Sequence, residues 1–493
     1  MDFTTRYAKL NDAQKRAVDT IDGPVMVIAG PGTGKTELLS MRVANILKQT
    51  DTLPENILCL TFTESGANAM RERLSQIIGK DAFKVAIHTF HSFGAEVINQ
   101  NGDFFYHGAH FRAADELSSY ELLRGIFDEL DYSNPLSSKM NGEYTHLGDT
   151  LTTISELKKS GLTSDELLAI LDMNDHVIDT CEPLLASVFA SRISKSTIEL
   201  LEPIVTQIRQ VDGMTGLVGI ASLADVLSDS LEHATIQAHE TNSTKPLTAW
   251  RNSHMKKNEA GDFVLKSHER QTKLRAVSFV YYQYLARMQE AELYDFDDMI
   301  LRVVHGMEVF SELRYNLQEK HQYIMVDEFQ DTNMAQMRIL HNLTNNEANA
   351  DRPNIMVVGD DDQAIYSFQG AEVSNILTFP TVYPATVKIT LQDNYRSAAP
   401  ILEAARSVIV QGGERLETTL DDIDKTLTAH RNSDNAEVSL LEASTINDER
   451  NALIKSIAER LKAVNHRLQL PSLRVAIMKS LVYCHILQML ILR

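Results

Sequence analysis

The chain contains 493 residues, of which 43% are hydrophobic and 23% are charged, and its formal net charge at pH 7 is −20. This length leaves room for about three domains, and the composition is that of an ordinary soluble globular protein. So large a negative charge argues against a protein that coats nucleic acid nonspecifically. It is still compatible with a local basic groove, because net charge does not say where the charges lie.

The N-terminus and the cysteines carry no targeting or metal-binding signal. The first stretch, "MDFTTRYAKLNDAQKRAV", lacks the apolar segment of a signal peptide, and no apolar run approaches the roughly 20 residues of a membrane-spanning helix. Cys59, Cys181 and Cys484 lie far apart and match no metal-ligand spacing. We therefore expect a cytoplasmic protein with reduced thiols and no contact with a membrane.

The first hundred residues alternate strand-like runs with helical patterns. Short apolar runs rich in β-branched residues occupy 24–30 ("PVMVIAG"), 56–62 ("NILCLTF") and 84–90 ("KVAIHTF"). The first two are each followed by a stretch of helical period. Alternation of strands and helices predicts an α/β fold with a parallel, doubly wound sheet.

This rhythm stops between about 104 and 275, where the chain is largely helical and polar. Strand-like runs return at 323–329 ("YIMVDEF") and 354–360 ("NIMVVGD"). We interpret 104–275 as a mostly helical domain inserted into the first sheet domain, which would comprise 1–103 and 276–380.

The inserted region contains a basic stretch, 251–275. It holds seven Lys and Arg residues. Folded as one face, it could bind duplex or single-stranded nucleic acid, but a solvated helix face explains the pattern equally well.

A third block of strand candidates begins near 381. The runs are "TVKITLQ" (386–392), "AEVSLLEAS" (436–444) and "LRVAIM" (473–478), and we expect 381–478 to form a partial second sheet domain. The last fifteen residues, 479–493, are dense in large apolar side chains without a clean period. They form an atypical tail that is too short to span a membrane.

The run "AGPGTGKT" follows a strand and opens a helix, which is the context of a phosphate-binding loop. Its glycines let backbone N–H groups surround phosphate oxygens, and the helix N-terminus adds partial positive charge. Lys35 can reach the β- and γ-phosphates, and the Thr36 hydroxyl can ligate Mg²⁺. Ala29 stands where the strict pattern has Gly. The predicted nucleotide-binding residues are Ala29, Gly30, Pro31, Gly32, Thr33, Gly34, Lys35 and Thr36.

Three carboxylates follow the apolar run of "YIMVDEFQDT", and a metal ion on a nucleotide would compensate their charge. We expect Asp327 to hold Mg²⁺ directly or through water. Glu328 is placed to polarise the water that attacks the γ-phosphate. Asp331 either belongs to this cluster or caps the helix that follows.

The motifs "DEFQDT" (327–332), "VVGDDDQAIYSFQGA" (357–371) and "LQDNYRSAAPIL" (391–402) resemble those of superfamily 1A helicases, the UvrD/Rep/PcrA group. Four more runs match this family in the same order: "LNDAQKRAV", "LTFTESGANAMRERL", "HTFHSFG" and "LYDFDDMIL". The resemblance implies a phosphate-loop RecA-like domain with a helical insertion, followed by a partial second RecA-like domain. It also implies an ATP- and Mg²⁺-dependent 3′-to-5′ DNA helicase or translocase that binds single-stranded DNA and DNA junctions.

The resemblance further assigns roles to residues around the nucleotide. Gln14 would read the adenine edge, although a surface glutamine is the alternative, and Tyr395 would stack on the adenine ring. Arg396 would reach the γ-phosphate, with a structural ion pair as its alternative. Gln363 would link the γ-phosphate to the DNA-binding surface. Arg42 resembles a further phosphate or nucleotide contact.

Four side chains occupy family positions that touch the DNA strand: Phe62, His91, Tyr366 and Phe368. Single-stranded DNA binding without sequence preference needs aromatic faces beside polar backbone contacts. Taken outside their motifs, these aromatic side chains would more simply be core residues.

The chain departs from the family pattern at two positions within the third motif. Ala364 replaces the usual Ser, and Gln369 replaces the usual Arg. Loss of that arginine would weaken either a DNA contact or an ion pair in the cleft, and the sequence leaves both alternatives open.

Nothing after Arg396 supplies the family's motifs V and VI, the second of which usually adds another arginine at the γ-phosphate. We therefore expect a C-terminally truncated product. A half-built second domain would leave unpaired strand edges and apolar surface. Alternatively, the 479–493 tail is a helix that covers this surface.

The main interpretation is an ATP-dependent DNA helicase, in DNA repair or another DNA pathway. The first alternative is a truncated ATP- and single-stranded-DNA-binding module with little or no helicase activity. The motor portion of a RecB/AddA-type helicase–nuclease is a second alternative, and a small-molecule kinase is a third. The ordered motifs favour the DNA helicase over the small-molecule kinase.

Overall fold

The computed structural model describes nine stretches of the chain, and all structural statements below refer to them. They are residues 3–105, 111–213, 221–346, 352–364, 374–412, 415–419, 423–431, 438 and 442–463. Contacts divide the chain into two compact units. The first comprises Met1–Ser397 with Val408–Arg431, and the second comprises Ala398–Ser407 with Asn432–Arg493.

A six-stranded parallel sheet forms the centre of the first unit. Its strand order is β12-β1-β11-β10-β2-β3. The strands are β1 (Val25–Ala29), β2 (Ile57–Thr61), β3 (Ala86–Thr89), β10 (Tyr323–Val326), β11 (Ile355–Gly359) and β12 (Val387–Leu391). Because all six run in the same direction, their carboxyl ends meet at one edge. The predicted α/β fold with a parallel sheet is confirmed.

Side chains on the two faces of this sheet enter two separate cores. In β1, Met26 and Ile28 pack into one core, whereas Val25, Val27 and Ala29 pack into the other. A strand covered on both faces must be apolar at every position. This explains why "VMVIA" is a continuous apolar run rather than an alternating one.

Helices cover both faces of the sheet. One core takes apolar side chains from α2, α3 and α4, and the other takes them from α5, α13, α14, α15 and α16. The helices of the first half are α1 (Phe3–Tyr7), α2 (Asp12–Asp19), α3 (Lys35–Gln49), α4 (Glu64–Ile78) and α5 (Phe90–Gln100). Those after the insertion are α13 (Phe296–Val309), α14 (Ser311–Lys320), α15 (Met334–Thr344), α16 (Ser374–Val382), α17 (Ala399–Ile409), α18 (Leu416–Thr419) and α19 (Ile446–Ala463).

The stretch between α5 and α13 is predominantly helical. Its helices are α6 (Glu116–Asp128), α7 (Leu147–Lys159), α8 (Ser164–Phe189), α9 (Lys195–Arg209), α10 (Leu223–Glu240), α11 (Lys245–His254) and α12 (Ser267–Glu290). They enclose two apolar clusters, and the 26-residue helix α8 contributes side chains to both. Helix α12 continues past the domain boundary predicted at 275, so this boundary stays an interpretation.

Short paired strands complete the description. They are β4 (Arg112–Ala113) with β9 (Leu293–Tyr294), β5 (Lys139–Met140) with β6 (Glu143–Tyr144), β7 (Met255–Lys257) with β8 (Phe263–Leu265), and β13 (Asp393–Asn394) with β14 (Thr428–Ala429). Across the described stretches, none of the helices combines the length and apolarity needed to cross a membrane.

The strand β12 corrects one part of the predicted domain division. The sequence assigned the run 386–392 to a second sheet domain, but β12 pairs in parallel with β1, with Val387 opposite Val25 and Leu391 opposite Ala29. The run therefore belongs to the first sheet. The other two strand candidates of this block, 436–444 and 473–478, lie largely or wholly outside the described residues, as does the 479–493 tail.

A buried lysine connects the insertion to the sheet domain. Lys158 in α7 is fully buried, and its Nζ lies 2.7 Å from Asp298 Oδ1 and also contacts Asp295. The same ammonium lies 4.9 Å from the ring centroid of Tyr284. Burial alone would lower the pKa of Lys158, but the two carboxylates outweigh it and raise this pKa.

Replacing Lys158 by Met is expected to lower the free energy of unfolding by about 3–5 kcal/mol, because the buried Asp298 and partly buried Asp295 carboxylates then lack a cation. Urea denaturation followed by circular dichroism and by the fluorescence of Trp250 measures the change. Arg209→Met is the matched control: Arg209 also contacts two carboxylates, but on the exposed surface, where such pairs contribute little. Equal denaturation midpoints for the two variants would contradict the expectation.

His321 lies just before the amino end of strand β10 and makes the stability of the fold sensitive to acid. Its ring packs edge-on against Phe93 at 5.6 Å between centroids, and neither ring nitrogen has a hydrogen-bond partner in the described part of the chain. Burial, reinforced by Lys320 and His88, lowers the pKa of His321 to about 3. Between this pKa and the unfolded value, only the unfolded chain binds the proton.

Acidification should therefore destabilise the fold through His321. Stability from this residue is complete above pH 6.5 and is lost as pH falls towards the folded pKa. Relative to a His321→Leu variant, the wild-type chain is expected to lose about 2 kcal/mol between pH 7 and pH 5. Urea midpoints measured at both pH values test this, and identical pH slopes in the two proteins would refute it.

Candidate nucleotide-binding site

The loop between β1 and α3 has the backbone of a phosphate cradle. Gly32 and Gly34 adopt φ angles of +74° and +90°, which glycine reaches without strain. The Thr33 hydroxyl donates to the Gly30 carbonyl at 2.8 Å and closes the turn. Gly34 is the residue that precedes the first turn of α3, so the loop opens onto the positive end of that helix.

The segment that carries Tyr395 and Arg396 packs directly on this loop. The Tyr395 N–H donates to the Gly32 carbonyl at 3.0 Å, and the Asn394 amide donates to the Pro31 carbonyl. A methyl group on Gly32 would lie 2.7 Å from Arg396 Cβ and 2.8 Å from Asn394 Nδ2. The structure thus brings together two stretches more than 350 residues apart.

Gln14 lies at the other side of the loop and is only 5% exposed, which excludes the alternative of a surface glutamine. Its Nε2 donates to the Thr33 carbonyl at 2.9 Å, and its Oε1 accepts from the Asn11 N–H at 3.1 Å. The Asn11 side chain in turn caps the helix at the Gln14 N–H. Gln14 therefore joins the start of α2 to the loop.

Tyr395 has a neighbour that the sequence did not reveal. The ring of His430 lies 5.0 Å from the Tyr395 ring at an interplanar angle of 30°, and His430 Nε2 lies 2.8 Å from Asp393 Oδ1. The other oxygen of Asp393 accepts from Asn11 Nδ2 at 2.7 Å. Tyr395 stays 46% exposed, so one contact with His430 leaves ring surface for stacking. A lone histidine in a polar stretch gives no sequence signal that its ring packs on a distant tyrosine.

Lys35 and Glu328 form the ion pair at the centre of the site. Lys35 Nζ lies 2.6 Å from Glu328 Oε2, and Gln330 Nε2 donates to the same oxygen at 2.9 Å. Glu328 adopts a left-handed backbone with φ of +51°, which is costly for a non-glycine residue and held by its surroundings. Asp327 precedes it at the end of β10, and its Oδ1 accepts from the Glu328 N–H at 3.0 Å.

Two carboxylates beside this pair carry raised pKa values. Burial first, and the Glu328 charge second, raise the pKa values of Asp327 and Asp331 to about 6, while Lys35 opposes the shift. One oxygen of Asp331 is buried without a hydrogen-bond partner in the described part of the chain. The helix α15 that follows is capped by Asn333, so Asp331 does not cap it. Within the described residues, no group of three or more His, Cys, Asp or Glu side chains is arranged to hold a metal ion, so a Mg²⁺ ion at these carboxylates would take its other ligands from the nucleotide and from water.

Gln363 is tied to this acidic cluster through two other residues. Its Nε2 donates to Asp360 Oδ2 at 2.7 Å, and the Asp360 N–H donates to Gln330 Oε1 at 3.0 Å. Since Gln330 also donates to Glu328, one amide connects the ends of β10 and β11. Sequence reasoning missed Gln330, although it lies inside the "DEFQDT" motif.

Arg42 does not face the nucleotide site, contrary to the sequence-based expectation. It is 1% exposed, and its guanidinium donates to the carbonyls of Ala17 at 2.7 Å and Ile21 at 3.2 Å and to that of Thr20. Burial lowers the pKa of Arg42 to about 10. Its two terminal nitrogens are thus committed to carbonyls in the last turn of α2 and just beyond it, so Arg42 holds the end of that helix.

Among the expected DNA contacts, the structure describes Phe62 and His91, whereas Tyr366, Phe368 and the replaced position Gln369 lie outside the described residues. His91 packs edge-on against Phe296 at 5.0 Å between centroids, and Phe296 is 65% exposed. Burial lowers the pKa of His91. Phe296 was missed although it belongs to the quoted run "LYDFDDMIL".

The basic stretch 251–275 is divided among several secondary-structure elements. It covers the end of α11, the β7–β8 hairpin and the start of α12. Arg275 contacts Asp172 and Asp175 at 2.6 Å each, and Lys256 pairs with Glu269. Several of its charges are therefore already engaged within the chain.

The close approach of two segments at Gly32 makes a specific prediction. Gly32→Ala is expected to weaken binding of a fluorescent ATP analogue about tenfold or more, through positive-φ strain of about 1–3 kcal/mol and the clash with Arg396. Gly79→Ala is the matched control, since Gly79 has φ of +68° and a Cβ there meets nothing within 4 Å. Fluorescence titration measures the affinity of both variants for the analogue. Equal affinities would show that the close approach of Arg396 to Gly32 does not matter for nucleotide binding.

The chain is similar to known DNA helicases along most of its length. Residues 10–384 match the family model "UvrD/REP helicase N-terminal domain". The ATP-dependent DNA helicase PcrA of Staphylococcus epidermidis is 28% identical over 454 residues, which cover 92% of this chain and 46% of the relative. PcrA of Staphylococcus aureus is 27% identical over 448 residues, or 91% and 45% of the two chains. The chain thus spans about half the length of these curated relatives, and it belongs to the UvrD/REP helicase family.

Proposed function

We propose that this chain is an ATP-dependent DNA translocase or helicase that moves 3′ to 5′ along single-stranded DNA. The observation that carries the proposal is that Glu328 pairs with Lys35 of the phosphate-type loop and that Arg396 packs against Gly32 of the same loop. Gln363 is linked to Glu328 through Asp360 and Gln330. Phosphoryl transfer requires mainly positioning and charge compensation, and these four side chains supply both. The direction of movement and the preference for DNA strands and junctions rest on the family resemblance.

The Lys35–Glu328 pair suggests how hydrolysis is controlled. The two side chains neutralise each other at 2.6 Å between Lys35 Nζ and Glu328 Oε2. A bound triphosphate offers Lys35 a stronger anionic partner, so Lys35 exchanges the carboxylate for phosphate oxygens. Glu328 is then released to accept a proton from the attacking water. Thr36 and Asp327 would hold Mg²⁺, which supplies charge neutralisation on the phosphate oxygens.

Arg396 would report the state of the γ-phosphate, and its backbone is held in place on both sides. Its N–H donates to Asn394 Oδ1 at 2.9 Å, and its carbonyl accepts from Arg431 at 3.1 Å. In the described part of the chain its guanidinium makes no ion pair, which argues against the alternative of a structural salt bridge. Such an arginine loses its anionic partner when the γ-phosphate leaves, and so couples hydrolysis to movement.

The DNA strand would lie against the aromatic surface near Phe62, His91 and Phe296. Base stacking on aromatic faces contributes about 1–3 kcal/mol per base and tolerates any sequence. His91 with a lowered pKa is neutral at physiological pH and presents a ring rather than a charge. This surface suits a protein that binds DNA through stacking despite its large negative charge.

The second candidate function is an ATP- and single-stranded-DNA-binding module that hydrolyses ATP slowly. The observation that favours it is that the chain covers 46% of the PcrA relative's length. Binding of ATP needs the phosphate loop and its neighbours, whereas rapid turnover also needs every charge that stabilises the transition state, so binding can persist where turnover is slow. The two candidates differ in DNA-stimulated hydrolysis.

Steady-state ATPase measurements with Mg²⁺, with and without an oligo-dT strand, distinguish the candidates. A motor is expected to hydrolyse ATP at least about tenfold faster with DNA, and Lys35→Ala should lower this rate by about 100-fold or more, since it removes a phosphate contact made in the transition state. Lys48→Ala is the matched control: this lysine lies on the same helix but is exposed. It should retain the wild-type rate.

Different outcomes separate the proposals. DNA-independent turnover at the level of Lys35→Ala, with ATP and DNA still bound, would establish the binding module instead of the motor. For an active chain, arrival of the protein at a dye on the 5′ end of the strand before dissociation supports 3′-to-5′ movement. Arrival only at a dye on the 3′ end would overturn the direction.

A further inference from the structure

Three consecutive carboxylates follow strand β11, and two cations from a distant segment surround them. Lys425 Nζ lies 2.6 Å from Asp360 Oδ1, 2.6 Å from Asp361 Oδ1 and 2.7 Å from Asp362 Oδ2. Arg415 binds Asp362 through two parallel hydrogen bonds of 2.7 Å. Both cations are largely buried, so this is a low-exposure cluster rather than a set of surface pairs.

The electrostatics of the cluster show that its members depend on one another. Burial alone would lower the pKa of Lys425, but the carboxylates, with Asp360 first, outweigh it and raise this pKa. Burial alone would raise the pKa of Asp362, but hydrogen bonds from Arg415 and Lys425 lower it. Removing one partner of such a buried group leaves an uncompensated charge.

Asp360 connects this cluster to the nucleotide site. Its Oδ1 contacts Lys425, while its Oδ2 accepts from Gln363 Nε2 at 2.7 Å. The Asp360 N–H donates to Gln330. The carboxamide of Gln363 is therefore held by a carboxylate whose own position depends on Lys425.

The residues that follow Lys425 touch the site at three more points. A methyl group on Gly30 would lie 3.1 Å from Leu427 Cδ1, the ring of His430 packs on Tyr395, and Arg431 donates to the Arg396 carbonyl. The segment 423–431 thus contacts the phosphate loop, the Tyr395–Arg396 segment and the Asp360 cluster together.

We propose that Lys425 is a positioning residue for Gln363, which it holds through Asp360 in the place from which the Gln363 amide senses the terminal phosphate. This inference rests on the proposed ATP-dependent function. Lys425 touches neither nucleotide nor DNA in this role. Its loss would let the Gln363 amide leave Asp360, so the protein would bind ATP and ADP with more equal affinity.

The effect is measured as the ratio of dissociation constants for fluorescent ADP and for a fluorescent non-hydrolysable ATP analogue. Lys425→Met should lower this ratio about fivefold, by the same factor as Gln363→Ala. Because both substitutions break one linked unit, the double variant should show no additional loss. Lys425→Arg keeps the charge but cannot reproduce three contacts from a single nitrogen, so it should show a smaller loss of about twofold.

Lys158→Met is the matched control for loss of a buried lysine. It removes a cation with two carboxylate partners that have no contact with Gln363, so it should lower the melting temperature while the ratio stays at the wild-type value. If Lys425 had only a structural role, Lys425→Met would likewise lower the melting temperature and leave the ratio unchanged. That result would overturn the proposal. Additive losses in the double variant would overturn it as well.

Two further outcomes are decisive. If Lys425→Met does not fold, as judged by circular dichroism, the Lys425→Arg variant decides, and an unchanged ratio there refutes the positioning role. If the wild-type chain binds neither nucleotide, the proposed function fails and this inference falls with it. If the wild-type chain discriminates ATP from ADP and Gln363→Ala lowers the ratio, but the Lys425 variants keep the wild-type ratio, this inference fails while the proposed function stands.

Discussion

The ion pair between Lys35 and Glu328 is the contact on which the geometry of the site depends. It joins the loop after β1 to the end of β10, although strand β11 lies between these two strands in the sheet. A pair that spans a neighbouring strand requires all three strands to end at the same edge, as they do in a parallel sheet. A one-residue shift in strand register would turn these side chains to the wrong face. The two-sided apolar core that prevents such a shift is therefore a condition for the site.

Around this pair, the positive and the negative groups come from different parts of the chain: the former from the backbone and the latter from side chains. The positive groups come from backbone: the N–H groups of a glycine-rich loop and the start of α3. The negative groups come from side chains at the ends of β10 and β11, where Asp327, Asp331 and Glu328 share Lys35 as their near cation. Burial first, and the neighbouring Glu328 charge second, raise the pKa values of Asp327 and Asp331, and the single nearby lysine only partly opposes this. A metal–triphosphate complex carries both signs and can satisfy both halves at once.

Local patterns were sufficient for the parts of the fold and site that depend on neighbouring residues. The phosphate loop, strands β1, β2, β3, β10 and β11, and the carboxylates after β10 all follow from short runs. Parts that depend on distant pairing did not. The position of β12 is decided by its pairing with β1. The position of the Arg42 side chain is decided by three carbonyls that lie outside its motif. Lys425 gives no signal in sequence, because its partners lie more than 60 residues away.

The two buried lysines show why charge compensation alone does not identify a functional residue. In the Lys158 cluster, the second oxygens of Asp295 and Asp298 accept from each other's backbone N–H groups at the start of α13. The cation there stabilises a helix end. In the Lys425 cluster, the second oxygen of Asp360 accepts from the side chain of Gln363, the last residue of the short 3-10 helix Asp361–Gln363. Buried ion pairs contribute little net stability compared with apolar packing. What distinguishes Lys425 is that its carboxylate partner orients a side chain of the nucleotide site.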